Sequence, residues 1–291
     1  MTSESKNCNL QDDNNRTPVL VVGSTGKTGR RVVQRLEQLG IPVRHGSRSA
    51  EIPFDWEDPA TWAPALEGIK RTYVAFHPDL AVPGAPEAIT RFTRLARSAG
   101  VERLVLLSGR GEEEALRCEQ IVADSGLTWT VVRAAWFNQN FSEGFMGDMV
   151  LDGVVALPTG GVREPFVDVE DIADVAVAAL TRPGLENRVY EVTGPRLMTF
   201  REAVEEIAVD LGRHVEFVEV PHEDFLAGAR NAGVPEDFLA LLDYLLREVL
   251  DGRNESLASG VRDALGRPAR DFQEYVRETV SSGVWSTELA R

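Results

Sequence analysis

Cysteine is scarce in this chain: Cys8 and Cys118 are the only two among 291 residues. One lies in a polar stretch near the N-terminus and the other inside a helical pattern. Two thiols so placed suggest neither a disulfide framework nor a zinc site. Long apolar runs are missing as well. Nothing approaches the roughly 20 residues needed to span a bilayer. Residues 1–16 are polar where a signal peptide would be apolar. They read as a disordered tail, and the expected compartment is the cytoplasm. Basic charge is also short, with 31 Lys and Arg against 46 Asp and Glu and a net charge of -15. Such a surface repels phosphate backbones and anionic lipid, so neither nucleic acid nor membrane is an expected partner. There is no Gly-x-Ser-x-Gly elbow to suggest hydrolysis, no repeat and no low-complexity segment.

What the chain does have is an apolar run, Val19-Leu20-Val21-Val22, that ends in Gly23-Ser24-Thr25-Gly26-Lys27-Thr28-Gly29. A helical pattern follows at once. That order is a strand, a phosphate-cradling turn and a helix. Gly26-Lys27-Thr28 also looks like the tail of a nucleotide-triphosphatase loop. That loop needs a glycine five residues before Gly26, and the position holds Val21. The dinucleotide-binding reading therefore stands.

Val32, Val33, Leu36 and Leu39 repeat at helical spacing and predict a helix over 27–39 that packs on a sheet. A strand follows near Val43. In NAD-binding units an acid about 20 residues beyond the glycines holds the ribose 2′-hydroxyl. The acid available here is Glu37, within the helix; the strand end offers Ser47 and Arg48 instead. Those groups suit a 2′-phosphate, so NADP(H) is expected over NAD(H). Further strands are predicted at 52–54, 71–76, 101–107, 128–132 and 187–193, with helices over 88–98 and 112–124 between them. This alternation predicts an α/β fold with a doubly wound parallel sheet. Asp168, Asp171 and Asp174 read as a helix cap and first turn rather than a metal site. Thr199 to Glu202 reads as the capping start of another helix. The last hundred residues or so are mostly helical, with one strand at 214–220. The expected division is a tail at 1–16, a dinucleotide-binding domain at 17–194 and a C-terminal lobe at 195–291. Residues 134–170 are expected to contribute to that lobe, which is read as the smaller, substrate-binding part.

With these pieces placed, the chain resembles the NmrA-like branch of the atypical short-chain dehydrogenases/reductases. The likeness runs from about Pro18 to Pro268. It rests on the glycine stretch, Phe54-Asp55-Trp56, Leu106-Leu107-Ser108-Gly109, residues 125–133 and Pro165-Phe166-Val167-Asp168 with the residues after it. The resemblance implies a Rossmann fold in which Gly23, Thr25, Gly26 and Gly29 form the pyrophosphate loop, with Ser24, Lys27 and Thr28 in the same turn. It implies Arg48 at the 2′-phosphate and Asp55 and Trp56 at the adenine. Phe76 and His77 would run beside the ribose and nicotinamide. Ser108 matches the serine after the fifth predicted strand. Trp136 and Phe137 would line the nicotinamide pocket and, with Asn140 and Phe141, begin a substrate pocket.

One departure is informative. Short-chain dehydrogenases use a Tyr-x-x-x-Lys pair to handle the carbonyl proton, and the matching positions here hold Gly111 and Ala115. His77 and Ser108 remain as candidate catalytic groups. Two functions stay open: an NADPH-dependent reductase of small planar carbonyl-like acceptors, and a non-catalytic NADP(H) sensor acting through a protein partner. The sequence leaves the oligomeric state open.

Overall fold

The computed structural model describes residues 17–286; the predicted tail at 1–16, with Cys8, lies outside the described residues. Strands β1 (Val19–Val22), β2 (Val43–Gly46), β3 (Arg71–Val74), β4 (Arg103–Gly109), β5 (Thr128–Ala134) and β8 (Arg188–Val192) form one sheet in the order 2-1-3-4-5-8. β1 pairs in parallel with both β2 and β3, and β3 with β4. The chain leaves β1 for the edge strand β2, then crosses back to β3. The switch point therefore falls between β1 and β3, where ligands of open α/β sheets bind beyond the strand ends.

The chain divides into two compact units. The first comprises the described residues up to Gly109, Glu113–Arg133 and Ile172–Tyr190; the second comprises Arg110–Glu112, Ala134–Asp171 and the described residues from Glu191. In the first unit all four residues of β1 are fully buried, as a central parallel strand requires. Leu20, Val22, Val74, Leu104 and Leu106 pack with α2 (Trp62–Leu66), α3 (Ala85–Ser98) and α4 (Glu113–Ala123). Phe54, Trp62 and Phe92 fill this layer, with ring centroids 5.8–6.1 Å apart. Tyr73 is also fully buried, and its hydroxyl donates to Thr28 Oγ1 at 2.8 Å. Helix α1 (Gly29–Gln38) buries Val32, Val33 and Leu36. Arg35 of α1 is tied to Asp174 of α6 (Val169–Thr181) at 2.5 Å.

Two expectations are corrected here. Leu39 does not pack on the sheet: it is the helix C-cap and is 60% exposed. Residues 52–54 do not form a strand. Pro53 removes a ladder donor, Phe54 N–H turns back to Ser47 O at 3.0 Å, and the Phe54 ring enters the aromatic layer. The sheet therefore ends at β2 on that side.

The second unit has its own core. Phe141, Phe166, Phe200 and Phe272 meet with centroids 4.9–6.0 Å apart. They come from the segments after β5 and before α6, from α7 (Phe200–Leu211) and from α11 (Phe272–Ser282). Trp285 closes this core, its Nε1 donating to Phe141 O at 2.8 Å. The Thr199/Glu202 capping box that opens α7 forms as expected. Strands β6 (Val154–Leu157) and β10 (Glu216–Glu219) pair in parallel, and β7 (Arg163–Glu164) pairs antiparallel with β9 (Met198–Thr199). Asp168 caps α6 through Glu170 N and pairs with Arg270 at 2.9 Å; Asp171 pairs with Arg267 at 2.7 Å. Asp168 and Asp171 are thus held by caps and arginines, and no group of metal-ligating side chains occurs among the described residues.

A Cβ on Gly29 would lie 2.1 Å from Gly23 O. Gly29→Ala should cost at least about 2 kcal/mol, beyond a typical surface substitution, because backbone must move to admit the methyl. A lowered denaturant midpoint with unchanged slope would show it.

Candidate dinucleotide site

Gly23 leaves β1 with φ +76°, a conformation that favours glycine, and its N–H donates to Gly46 O at 2.9 Å. Gly26 N–H closes the turn on Gly23 O at 3.0 Å. α1 then starts directly against that turn because Gly29 has no side chain. Thr28, its N-cap, makes no side-chain cap, since its hydroxyl is engaged with Tyr73. The first turn of α1 carries no acid. The N–H groups of Arg30, Arg31 and Val32 donate to Gly26 O and Thr28 O, so what the helix start offers an anion is its positive dipole end. Ser24 adds a second sign: it is 4% exposed, and its Oγ is buried without a hydrogen-bond partner. A buried hydroxyl without a partner beside an uncapped helix start fits a bound phosphate oxygen. Thr25 and Gly26 are exposed at the tip, and Lys27 is half-buried.

Beyond β2 the chain turns sharply, with Ala50 N–H and Phe54 N–H both donating to Ser47 O. Two arginines flank this turn and differ in availability. Arg44 is committed to Ala65 O at 3.0 Å and Glu67 O at 2.5 Å. Arg48 is exposed and has no hydrogen bond or ion pair among the described residues. Ser47 Oγ and Ser49 Oγ lie 3.5 Å apart beside it.

Asp55 and Trp56 follow on the same unit. Asp55 Oδ1 caps Glu57 N at 3.0 Å, and Asp55 O accepts from Trp62 Nε1 at 2.6 Å. Trp56 stands edge-on to Phe54 and 4.7 Å from the Phe76 ring, with its Nε1 donating to Ala75 O at 3.3 Å. The indole is thereby locked onto the end of β3. His77 comes next, exposed, ahead of a cis bond to Pro78.

Ser108, at the end of β4, is 3% exposed. Its hydroxyl donates to Glu119 Oε1 at 2.7 Å, and Arg133 grips the same carboxylate through Nε at 2.9 Å and Nη2 at 2.5 Å. Sequence reading missed this tie. Its signal was an Arg closing one strand and a Glu on the preceding helix. The proton of Ser108 is thereby directed onto α4.

Gly111 and Ala115, the positions that the resemblance matches to the Tyr/Lys pair, are both closely surrounded. Gly111 has φ +81°, and a Cβ there would meet the Asn254 amide at 2.8 Å. Asn254 Nδ2 instead donates to Arg110 O at 3.1 Å. Ala115 is fully buried on α4. Tyr73 is no substitute for the tyrosine: burial pushes its phenol above the ordinary range, and its hydroxyl is spent on Thr28. Cys118 is fully enclosed, and burial pushes its thiol up to about 12.

The glycine turn, Arg48, Asp55, Trp56, Phe76, His77 and Ser108 all belong to the first unit; Trp136, Phe137, Asn140 and Phe141 belong to the second. Trp136 is half-buried and edge-on to Phe200 at 5.6 Å. Phe137 and Asn140 are half-buried. Phe141 corrects the expectation of a pocket residue. It is 0% exposed and ringed by Phe166, Phe200 and Phe272, so it is a core side chain.

Residues 23–183 match the model of a family described as NAD(P)H-binding. The chain is 30% identical over 286 residues to agroclavine dehydrogenase of Claviceps fusiformis, covering 92% of this chain and 98% of that protein. It is 29% identical over 280 residues to the NAD(P)H azoreductase of Xenophilus azovorans, covering 89% and 96%. Its fold is similar to that of the NADPH-dependent quinone oxidoreductase of Escherichia coli in complex with NADPH, with TM-score 0.71, 21% identity and coverage of 89% and 99%. With the sheet order and glycine turn described above, the chain belongs to the NAD(P)H-binding, NmrA-like family of atypical short-chain dehydrogenases/reductases.

Restoring the absent pair with Gly111→Tyr and Ala115→Lys should not restore it in function. The first forces a side chain into a left-handed position, at about 1–2 kcal/mol. The second buries an unpaired ammonium at several kcal/mol. The expected outcome is a large loss of stability in denaturant melts, with no gain in ketone reduction.

Proposed function

We propose that the protein is an NADPH-dependent oxidoreductase that transfers a hydride to a small, planar, charge-delocalising acceptor such as a quinone, azo compound or conjugated enone. The carrying observation is the enclosure of Gly111 and Ala115, the positions that the resemblance matches to a proton-handling pair: a Cβ on Gly111 would meet Asn254, and Ala115 is fully buried. A simple ketone would need a proton as its alkoxide forms. An acceptor that spreads negative charge takes its proton late, from water or a weak donor. The relatives named as an azoreductase and a dehydrogenase support reductive chemistry.

When bound, the nicotinamide supplies the hydride. The chain's part is to hold and orient. The Gly23–Gly29 turn and the start of α1 take the diphosphate, with Ser24 Oγ as a further donor. Arg48, with Ser47 beside it, takes the 2′-phosphate and sets the preference for NADP(H) over NAD(H). Asp55 and Trp56 bound the adenine, and Phe76 and His77 the ribose and nicotinamide side. His77 is the candidate proton source, since its imidazole is exposed just beyond a strand end. Ser108 is the weaker candidate, since its proton is directed at Glu119. Trp136, Phe137 and Asn140 offer two rings and an amide to a flat acceptor. The second reading is a non-catalytic NADP(H) sensor that reports to a protein partner; the same missing pair favours it.

Arg48→Ala should raise the Kd for NADPH roughly tenfold or more, as loss of a charged phosphate contact does, and leave NADH within about twofold. Equal weakening of both would remove Arg48 from the 2′-phosphate. NADPH oxidation should be measurable with quinones or azo dyes and absent with simple ketones. Tight NADPH binding with no turnover on any acceptor would favour the sensor. Unchanged turnover in His77→Ala would clear His77 as donor.

A further inference from the structure

The hydroxyl of Ser108 has its proton committed and its lone pairs free. It donates to Glu119 Oε1 at 2.7 Å, and Arg133 holds that carboxylate through Nε at 2.9 Å and Nη2 at 2.5 Å. A carboxylate gripped by a guanidinium has lone pairs and no proton to return. No N–H or O–H among the described residues donates to Ser108 Oγ, although the residue is 3% exposed. Other hydroxyls in the chain do both. Ser125 Oγ donates to Val122 O and accepts from Leu127 N, and Thr193 Oγ1 donates to Ala258 O and accepts from Ala258 N. Ser108 is left as a buried acceptor without a donor, which calls for one from outside the chain.

Its place in the sheet indicates the source. β4 lies beyond β3 from β1, on the side away from β2. Strands about 4.8 Å apart put it roughly 10 Å from β1. A dinucleotide binds across the strand ends with its diphosphate at the turn after β1 and its adenosine ribose toward β2. The nicotinamide half then lies toward β3 and β4, and Ser108 stands next to the last residue of β4. The hydrogen count selects the group. A quinone or enone oxygen has lone pairs only and gains nothing from a hydroxyl whose proton is spent. The primary carboxamide of a nicotinamide carries N–H donors.

We propose that Ser108 Oγ accepts a hydrogen bond from the carboxamide N–H of the nicotinamide, with Glu119 and Arg133 as positioning residues that keep the hydroxyl turned away. The bond holds the ring against rotation about its link to the ribose. It rests on NAD(P)H binding, which defines the family, and not on turnover of any acceptor.

The test is a binding measurement. Calorimetry gives Kd for NADP+ and for its 3-acetylpyridine analogue, in which a methyl replaces the amide nitrogen and the carbonyl stays. The wild type should favour NADP+ roughly tenfold, the worth of one hydrogen bond to an otherwise unmet buried acceptor. In Ser108→Ala the two should bind within about twofold of each other. Ser108→Cys keeps a proton for Glu119 but offers sulfur, a weak acceptor, so it should lose the preference as well. 2′-Phospho-ADP-ribose, which lacks the base, should bind the wild type and both variants alike. A preference that is absent from the wild type, or that survives in Ser108→Ala and Ser108→Cys, would overturn the proposal. So would equal weakening of 2′-phospho-ADP-ribose and NADP+ in the variants, the mark of a purely structural hydroxyl. The expected preference with no turnover on any quinone or azo dye would support this contact and sink the reductase reading alone.

Discussion

The contact between Gly29 and the carbonyl of Gly23 is the constraint on which the rest of this fold depends. Two backbones meet where no side chain fits, so α1 starts on the turn that ends β1 rather than beyond it. The same turn binds Gly46 of β2 through Gly23 N–H. Strand, helix and edge strand are thereby fixed by residues that contribute almost no apolar surface. Hydrophobic burial supplies the stability, through Val32, Val33 and Leu36 on α1 and the aromatic layer around Phe54, Trp62 and Phe92. The glycines decide where the positive dipole end of the helix faces.

Around that centre the polar side chains act mainly as ties. Ser108, Glu119 and Arg133 join β4, α4 and β5; Arg110 gathers Glu191, Asn254 and Ser256; Asp168 and Asp171 are met by Arg270 and Arg267. Such buried pairs add little net stability over apolar packing but are costly to break singly. They specify one arrangement. In this chain Arg110 and Gly111, in the loop after β4, are given over to such ties, accepting from Asn254 Nδ2 and Arg253 Nη1.

The parallel α/β sheet and the glycine turn were legible because both rest on local patterns. An unbroken apolar run marks a central parallel strand, and glycine spacing marks the turn. The segment at 52–54 was misread because its short apolar pattern is shared by a strand and by a loop that inserts one ring; Pro53 was the missed sign. Leu39 kept the helical period past the point where the helix stops covering the sheet. Phe141 sits among aromatics that read equally as lining or core, and only the partners Phe166, Phe200 and Phe272 decide between them. The Arg110–Asn254 tie joins residues far apart in the chain, with no periodicity to reveal it. Arg48 is expected at a 2′-phosphate because the usual acid is lacking; the structure distinguishes it from Arg44, whose Nη1 is engaged by Ala65 O and Glu67 O.

The sealed thiol of Cys118 has a bearing on survival in use. Quinones and conjugated enones, the acceptor class proposed above, are also alkylating agents that consume exposed thiolates. Cys118 is buried on the inner face of α4, where burial pushes its thiol up to about 12, and it is the one cysteine among the described residues. The folded core thus presents no nucleophilic sulfur to such compounds, and turnover of electrophiles would not carry self-inactivation at this position.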